Sequence, residues 1–278
     1  MTASERAGSL IVPIANPRTV DRLLDTALDI AREQSRRIVA IHVVEVPPQV
    51  PLSEGQQLLS DEQSQLLEYA AERGAESGVD FETKIRYARD TATGIVGSVD
   101  AHDGESLLMG WHGRPRRRDI VLGSFLDRVL AEAPCDVYVQ RIKYDRGSPE
   151  SILVPIAGGP HDELGTMLAG EIAAQHDAEV TLLHVEHPDT DESVHDEHAT
   201  LLNERRERIP EDVTVTKRII ESDHAAGAIS DETTGHDLTI LGATREPFLK
   251  RRLVGSVAQG VGRSAGCSVI VTRRYVEG

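Results

Sequence analysis

The chain is written twice, and this constrains its fold more than any other feature. SLIVPIANPRT at residues 9–19 returns as SILVPIAGGPH at 151–161. VAIHVVEVP (39–47) returns as VTLLHVEHP (180–188), and SLLMGWHG (106–113) as LTILGATR (238–245). VLGSFLDRVLAEAPCDVYVQR closes the first copy and LVGSVAQGVGRSAGCSVIVTR the second. The first blocks lie 142 residues apart and the last 132, so the second copy is ten residues shorter. The stretch LSEGQQLLSDEQSQLLEYAAERGAESG places that difference in the second helix of the first copy. A repeat of this length is the size of a whole domain, not of a solenoid unit. Two domains are expected, 1–143 and 144–278, joined by the polar, Gly- and Pro-containing RIKYDRGSPE at 141–150.

Each copy reads β-α-β-α-β-α-β-α-β. The strands of the first are LIVPI, IVAIHVV, FETKIRY, SLLMG and DVYVQ, short runs rich in Val and Ile. Continuous apolar runs suit strands buried on both faces of a parallel sheet. Between them VDRLLDTALDIAREQ puts Leu23, Leu24, Ala27, Leu28 and Ala31 on one helical face. Strand–helix alternation predicts an α/β fold: two tandem, doubly wound, five-stranded parallel-sheet domains with right-handed crossovers. Ligands in such folds sit beyond the carboxyl ends of the strands, so the loops after strands one and four are the candidate site.

Composition narrows the function classes. The formal charge of −16 opposes generic nucleic-acid binding, which needs a basic face. Of 30 basic residues only Lys84, Lys143, Lys217 and Lys250 are lysines. A Lys-poor, acid-rich surface suits a salt-loaded, halophilic cytoplasm, although an ordinary acidic protein has a similar balance. No apolar run approaches the roughly 20 residues that span a bilayer, and MTASERAGSLIVP has no signal-peptide layout. A cytoplasmic protein without membrane insertion is expected. Cys135 and Cys267 begin matching apolar runs, which predicts two equivalent buried thiols, not a disulfide.

The loop after strand four is GWHGRPRRRDIVLGS, with Gly110, Gly113, Gly123 and Ser124 in the spacing G-x2-G-x9-G-S. Glycines allow close backbone approach to a ligand. Ser124 is a candidate N-cap, and a helix N-terminus offers unpaired N–H groups and a positive dipole end to a phosphate. On spacing alone, a strand-to-helix turn with an ordinary cap is the better explanation of the stretch.

Five elements in order, repeated, decide the matter. With the V-P of strand one, the H-V near the end of strand two and the A-P-C-x-V of the last strand, the chain resembles a tandem member of the universal stress protein family. The wording I-A-N-P at 14–17 is similar to the haloarchaeal, transporter-associated kind. The resemblance covers nearly the whole chain and implies an adenine nucleotide alpha hydrolase-like, Rossmann-like fold. It also implies that ATP or a related adenine nucleotide, with Mg2+, binds the first domain. Gly110, Gly113, Gly123 and Ser124 would touch phosphate and ribose, the segment Pro13, Ile14 and Ala15 would face the nucleotide, and Val43 would offer its backbone to the adenine. Gly242, Gly255 and Ser256 are the equivalents in the second domain.

The sequence departs from the family at two places. ATP-binding members carry Asp after strand one, where this chain has Ala15 and Ala157. A hydrogen bond to a charged group is worth about 1.5–3 kcal/mol, so its loss weakens nucleoside binding roughly ten- to a hundredfold. Arg245 stands where Gly113 stands in the first copy. It either blocks backbone approach or supplies charge to a bound anion. The basic islands Arg114, Arg116, Arg117, Arg118 and Lys250, Arg251, Arg252 read either as a phosphate clamp or acidic-partner patch, or as solvated loops.

Other residues carry less. His42 and His184 are equivalent and read as buried, hydrogen-bonded core histidines. His195 and His198 have a metal-like i, i+3 spacing but no partner cluster, so a solvated helix face is expected and no metal. Trp111 either covers a base or packs locally. No nucleophile–base signature or P-loop is present, so the chain is expected not to be an enzyme beyond slow, incidental ATP hydrolysis. Two functions remain: a nucleotide-binding stress-response or signalling regulator, or a nucleotide-independent module for a membrane transporter. The family's dimers imply that the strands DVYVQR and SVIVTR pair internally as a pseudo-dimer, and leave a homodimer of chains open.

Overall fold

The computed structural model describes residues 8–111, 124–142, 147–243 and 256–276. They form two compact units, and the two copies present their elements in the same order. The first runs β1 (Ser9–Pro13), α1 (Val20–Glu33), β2 (Arg37–Glu45), a 3-10 turn (Leu52–Leu58), α2 (Asp61–Ser77), β3 (Phe81–Ala88), α3 (Thr91–Ala101), β4 (Gly104–Gly110), α4 (Ser124–Glu132) and β5 (Asp136–Arg141). The second runs β6 (Ser151–Pro155), α5 (Pro160–His176), β7 (Glu179–Glu186), α6 (Glu192–Arg206), β8 (Val215–Glu221), α7 (Ala225–Glu232), β9 (Leu238–Gly242), α8 (Ser256–Ser264) and β10 (Ser268–Arg273).

The first copy orders its strands β3-β2-β1-β4-β5, and the second repeats this as β8-β7-β6-β9-β10. β1 pairs in parallel with β2 and β4, and β2 with β3. β6 pairs in parallel with β7 and β9, β7 with β8, and β9 with β10. Apolar runs buried on both faces hold the middle of each sheet, as in β1, β4 and β6. The outer strands β3 and β8, FETKIRYA and VTKRIIE, carry charges and are half-buried to exposed along most of their length. The α/β class and the doubly wound parallel architecture expected from the alternation are both present.

Local sequence explains the helices. In α1 the residues Leu23, Leu24, Ala27, Leu28 and Ala31 are all buried. α2 starts at a capping box in which Ser60 Oγ accepts from Gln63 N and the Gln63 side chain accepts from Ser60 N. It ends at Gly78, whose φ of +73° is the left-handed C-cap. The length difference between the copies falls mainly here. Arg37 and Phe81, which begin β2 and β3, are 44 positions apart, whereas Glu179 and Val215, which begin β7 and β8, are 36 apart. Cys135 and Cys267 are buried thiols and are not joined in a disulfide. No helix among the described residues is long and apolar enough to cross a membrane.

Candidate functional site

The strand-one loops are fixed to strand two in the same way in both copies. Ile14 N donates to Ile41 O, and Ile156 N to Leu183 O, each at 2.8 Å. His42 and His184 then close the turn, each through Nδ1 at 2.8 Å from the carbonyl oxygen of Ile14 and Ile156. Both rings are buried. These are core histidines that shape the strand ends, and burial pushes the His184 pKa down, partly offset by its bond to Ile156 O.

The loops themselves differ. In the first copy Ile14 is buried, Pro13 is partly covered and Ala15 is exposed. Asn16 forms a local turn, with Oδ1 accepting from Arg18 N and O accepting from Thr19 N and Val20 N. The Val43 side chain faces α3, where Gly94 leaves room for it: a Cβ on Gly94 would lie 2.5 Å from Val43 Cγ1. In the second copy the loop is Ala157-Gly158-Gly159, with Gly158 at φ +78°.

That second loop lines a cavity of about 230 Å3. Ile156, Ala157, Gly158 and Gly159 form one wall, with His161 and Asp162 from the first turn of α5. Leu183, His184 and Val185 of β7 and Leu241, Gly242 and Ala243 at the end of β9 form the floor. Ala225 and Ile229 of α7 and Val257 and Ala258 of α8 complete it. The cavity lies at the carboxyl ends of β6, β7 and β9, where an open α/β sheet receives ligands. Its lining is mostly apolar. It is smaller than the roughly 300–1,000 Å3 of typical ligand clefts, so it suits one ring system with the rest of a ligand outside. The first turns of α5, α7 and α8 all reach it, and each presents a positive helix end.

α6 supports this cavity from behind. Its face at i, i+3, i+7, i+10 is His195, His198, Leu202 and Arg205. Glu186, buried at the end of β7, accepts from His195 Nδ1 at 2.9 Å and from His198 Nδ1 at 3.0 Å. The bonds from His198 and His195 hold the Glu186 pKa down, and the bond to Glu186 raises that of His195. The His198 ring lies 3.9 Å from the His184 ring. Arg205 Nε donates to Asp162 Oδ1 at 3.0 Å, and Asp162 Oδ2 accepts from Ala157 N at 2.9 Å. His195 is exposed, as expected of a solvated helix face, and His198 is half-buried; what the expectation lacked is that both rings bond Glu186. Among the described residues no group of three or more His, Cys, Asp or Glu side chains is arranged to hold a metal ion.

The other expected site residues are placed as follows. Gly110 ends β4, followed by a buried Trp111. Ser124 and Ser256 begin α4 and α8. Gly113, Gly123, Gly255, Arg245 and the basic islands lie outside the described residues. Gly242 lines the cavity, yet its tightest neighbour is protein: a Cβ there would stand 2.7 Å from Asp162 N and 3.0 Å from the His161 carbonyl carbon. This glycine lets β9 and the start of α5 touch. The Asp162–Arg205 pair was not anticipated from sequence. The α6 stripe and the acids Asp162 and Glu163 in the first turn of α5 were its only signals.

The comparisons agree with this architecture. The model of the universal stress protein family matches residues 8–141 and again 149–273. The chain belongs to that family, as a tandem member. It is 28% identical over 258 residues to the Na(+)/H(+) antiporter NhaS5 of Synechocystis, covering 91% of this chain but only 36% of that protein's length. It is 28% identical over 232 residues to a universal stress protein of Mycobacterium tuberculosis, covering 77% of this chain and 78% of that one. The crystal structure of a universal stress protein from Archaeoglobus fulgidus superposes with a TM-score of 0.71 at 16% identity, covering 97% of both chains. That likeness establishes the fold.

Proposed function

We propose that this chain is an adenine-nucleotide-binding regulator, a binding protein and not an enzyme, and that the cavity of the second copy receives the base. The cavity carries the reading: it sits at the carboxyl ends of β6, β7 and β9 behind a glycine loop. Its apolar walls and ring-sized volume suit a purine, and three helix starts favour an anionic tail outside it. The first copy, with its G-x2-G-x9-G-S spacing, is the second candidate site. Ligand shifts a partner-binding surface only to the extent that it binds two states differently. The test is calorimetric titration of ATP with Mg2+ in molar KCl. Micromolar binding lost in Ala225→Phe, which fills the cavity, assigns the ligand to the second copy. Loss in Gly113→Arg assigns it to the first. No heat from ATP with Mg2+ on the wild type refutes the reading.

A second reading is a nucleotide-independent module acting on a membrane transporter. The alignment to an antiporter over most of this chain favours it, as do Ala15 and Ala157 in place of the family carboxylate. Co-purification of the chain with a sodium/proton antiporter from nucleotide-depleted membranes supports it, and co-purification that requires added ATP favours the first reading.

A further inference from the structure

The Ala157-Gly158-Gly159 loop has little to stiffen it locally. Two of its three residues are glycines, the residues with the most backbone freedom to lose, and Gly158 occupies the left-handed region at φ +78°. The first copy solves the same problem with an Asn turn and Pro17. The second copy uses a distant side chain. Arg205, on α6, donates through Nε to Asp162 at 3.0 Å and through Nη2 to Gly159 O at 3.2 Å. Asp162 in turn accepts from Ala157 N at 2.9 Å. Both ends of the loop are thereby tied to one ion pair, whose members are 8% and 6% exposed.

We propose that Arg205 is a positioning residue of the cavity: it holds the Ala157–Gly159 loop in the shape that lines it, so that a ligand meets preset backbone in place of the carboxylate missing at Ala157. The planar guanidinium fork is needed because the two acceptors, a carboxylate and a backbone carbonyl, lie in different directions. Both Asp162 oxygens face protein donors, so Asp162 acts on a ligand through the loop. Binding to preset groups avoids the ordering entropy that a free glycine loop would lose. The proposal rests on reading the cavity as a ligand site.

The experiment compares wild type, Arg205→Met and Arg205→Lys in the full chain, well below the melting temperature. Hydrogen exchange is followed in the segment 156–163 relative to β7, and ATP with Mg2+ is titrated by calorimetry. The expected result for Arg205→Met is exchange at the Ala157 amide at least tenfold faster than in wild type, with β7 unchanged, and ATP binding at least tenfold weaker. Arg205→Lys keeps the charge opposite Asp162 and loses the fork, so it falls between the two. It also serves as the comparison if Arg205→Met does not fold. Unchanged loop exchange overturns the proposal whether or not ATP binds. Faster exchange with unchanged ATP affinity also overturns it, leaving Arg205 a purely structural role. A wild type that gives no ATP heat refutes the nucleotide reading alone, and the exchange data still decide whether Arg205 holds the loop.

Discussion

Removing both members of the Asp162–Arg205 pair should destabilise the second copy by clearly less than the sum of removing each one alone. The Asp162 and Arg205 side chains are 7% and 10% exposed and their charged atoms 3.0 Å apart. Breaking a buried ion pair from one side typically costs about 3–5 kcal/mol, because the other charge is left unpaired. Arg205→Met falls at the low end, about 3 kcal/mol, since the unpaired Asp162 carboxylate still sits in the first turn of α5, where the helix dipole favours it. Asp162→Ala strands the guanidinium and also removes the acceptor of the Ala157 N–H, which adds about 1 kcal/mol. The double variant strands no charge. Its loss should fall short of the sum of the single losses by about 2 kcal/mol, within the usual coupling range for contacting residues. The assay is urea unfolding followed by circular dichroism, with peptide-resolved hydrogen exchange assigning the transition. Burial keeps mobile ions away, so the coupling should persist in molar KCl. The pair Arg73–Asp25, at 2.6 Å but 35% and 43% exposed, should couple by less than about 1 kcal/mol and fade with salt. Additive losses at Asp162 and Arg205, within about 0.5 kcal/mol, would refute the argument.

Three further outcomes follow from the geometry. Gly242→Ala should destabilise by about 1–3 kcal/mol, the usual range for overpacking, because the new methyl meets the backbone of α5 and not a yielding side chain; a melting temperature equal to wild type would contradict this. Ser60→Ala should cost about 1 kcal/mol through loss of the α2 capping box, measured by urea unfolding. Histidine titration by NMR should place His195 above the ordinary histidine value and His184 below it. The stability from the raised His195 is present below the ordinary value of about 6.5 and is lost as pH rises through its folded pKa. Burial keeps His184 neutral, so its environment makes folding less favourable as pH falls below that same value. The stability from Glu186 is present above the ordinary carboxylate range and is lost as pH falls through its lowered pKa. Both rings titrating together at the ordinary value would show that the α6–β7 contact is absent in solution.

The sequence by itself determined the repeat, the alternation of strands and helices that makes a parallel α/β fold, and the buried face of α1. Each rests on short-range signals: periodicity, apolar runs and block identity, which fix local conformation before any long-range contact forms. It also pointed to the strand-one and strand-four loops as the candidate site, because ligands in open parallel sheets bind beyond the carboxyl ends of the strands. The equivalence of His42 and His184 was legible for the same reason, as both stand at one strand position. Only the tertiary structure decided what the loop residues do. Gly242 read as a ligand contact, and its closest approach is to the backbone of α5. His195 read as solvated and is exposed, but nothing local to α6 shows that it and the half-buried His198 both bond Glu186 on β7. The Asp162–Arg205 pair joins residues 43 positions apart. Its strength comes from burial, which is a property of the packed fold and leaves no periodic trace in the chain.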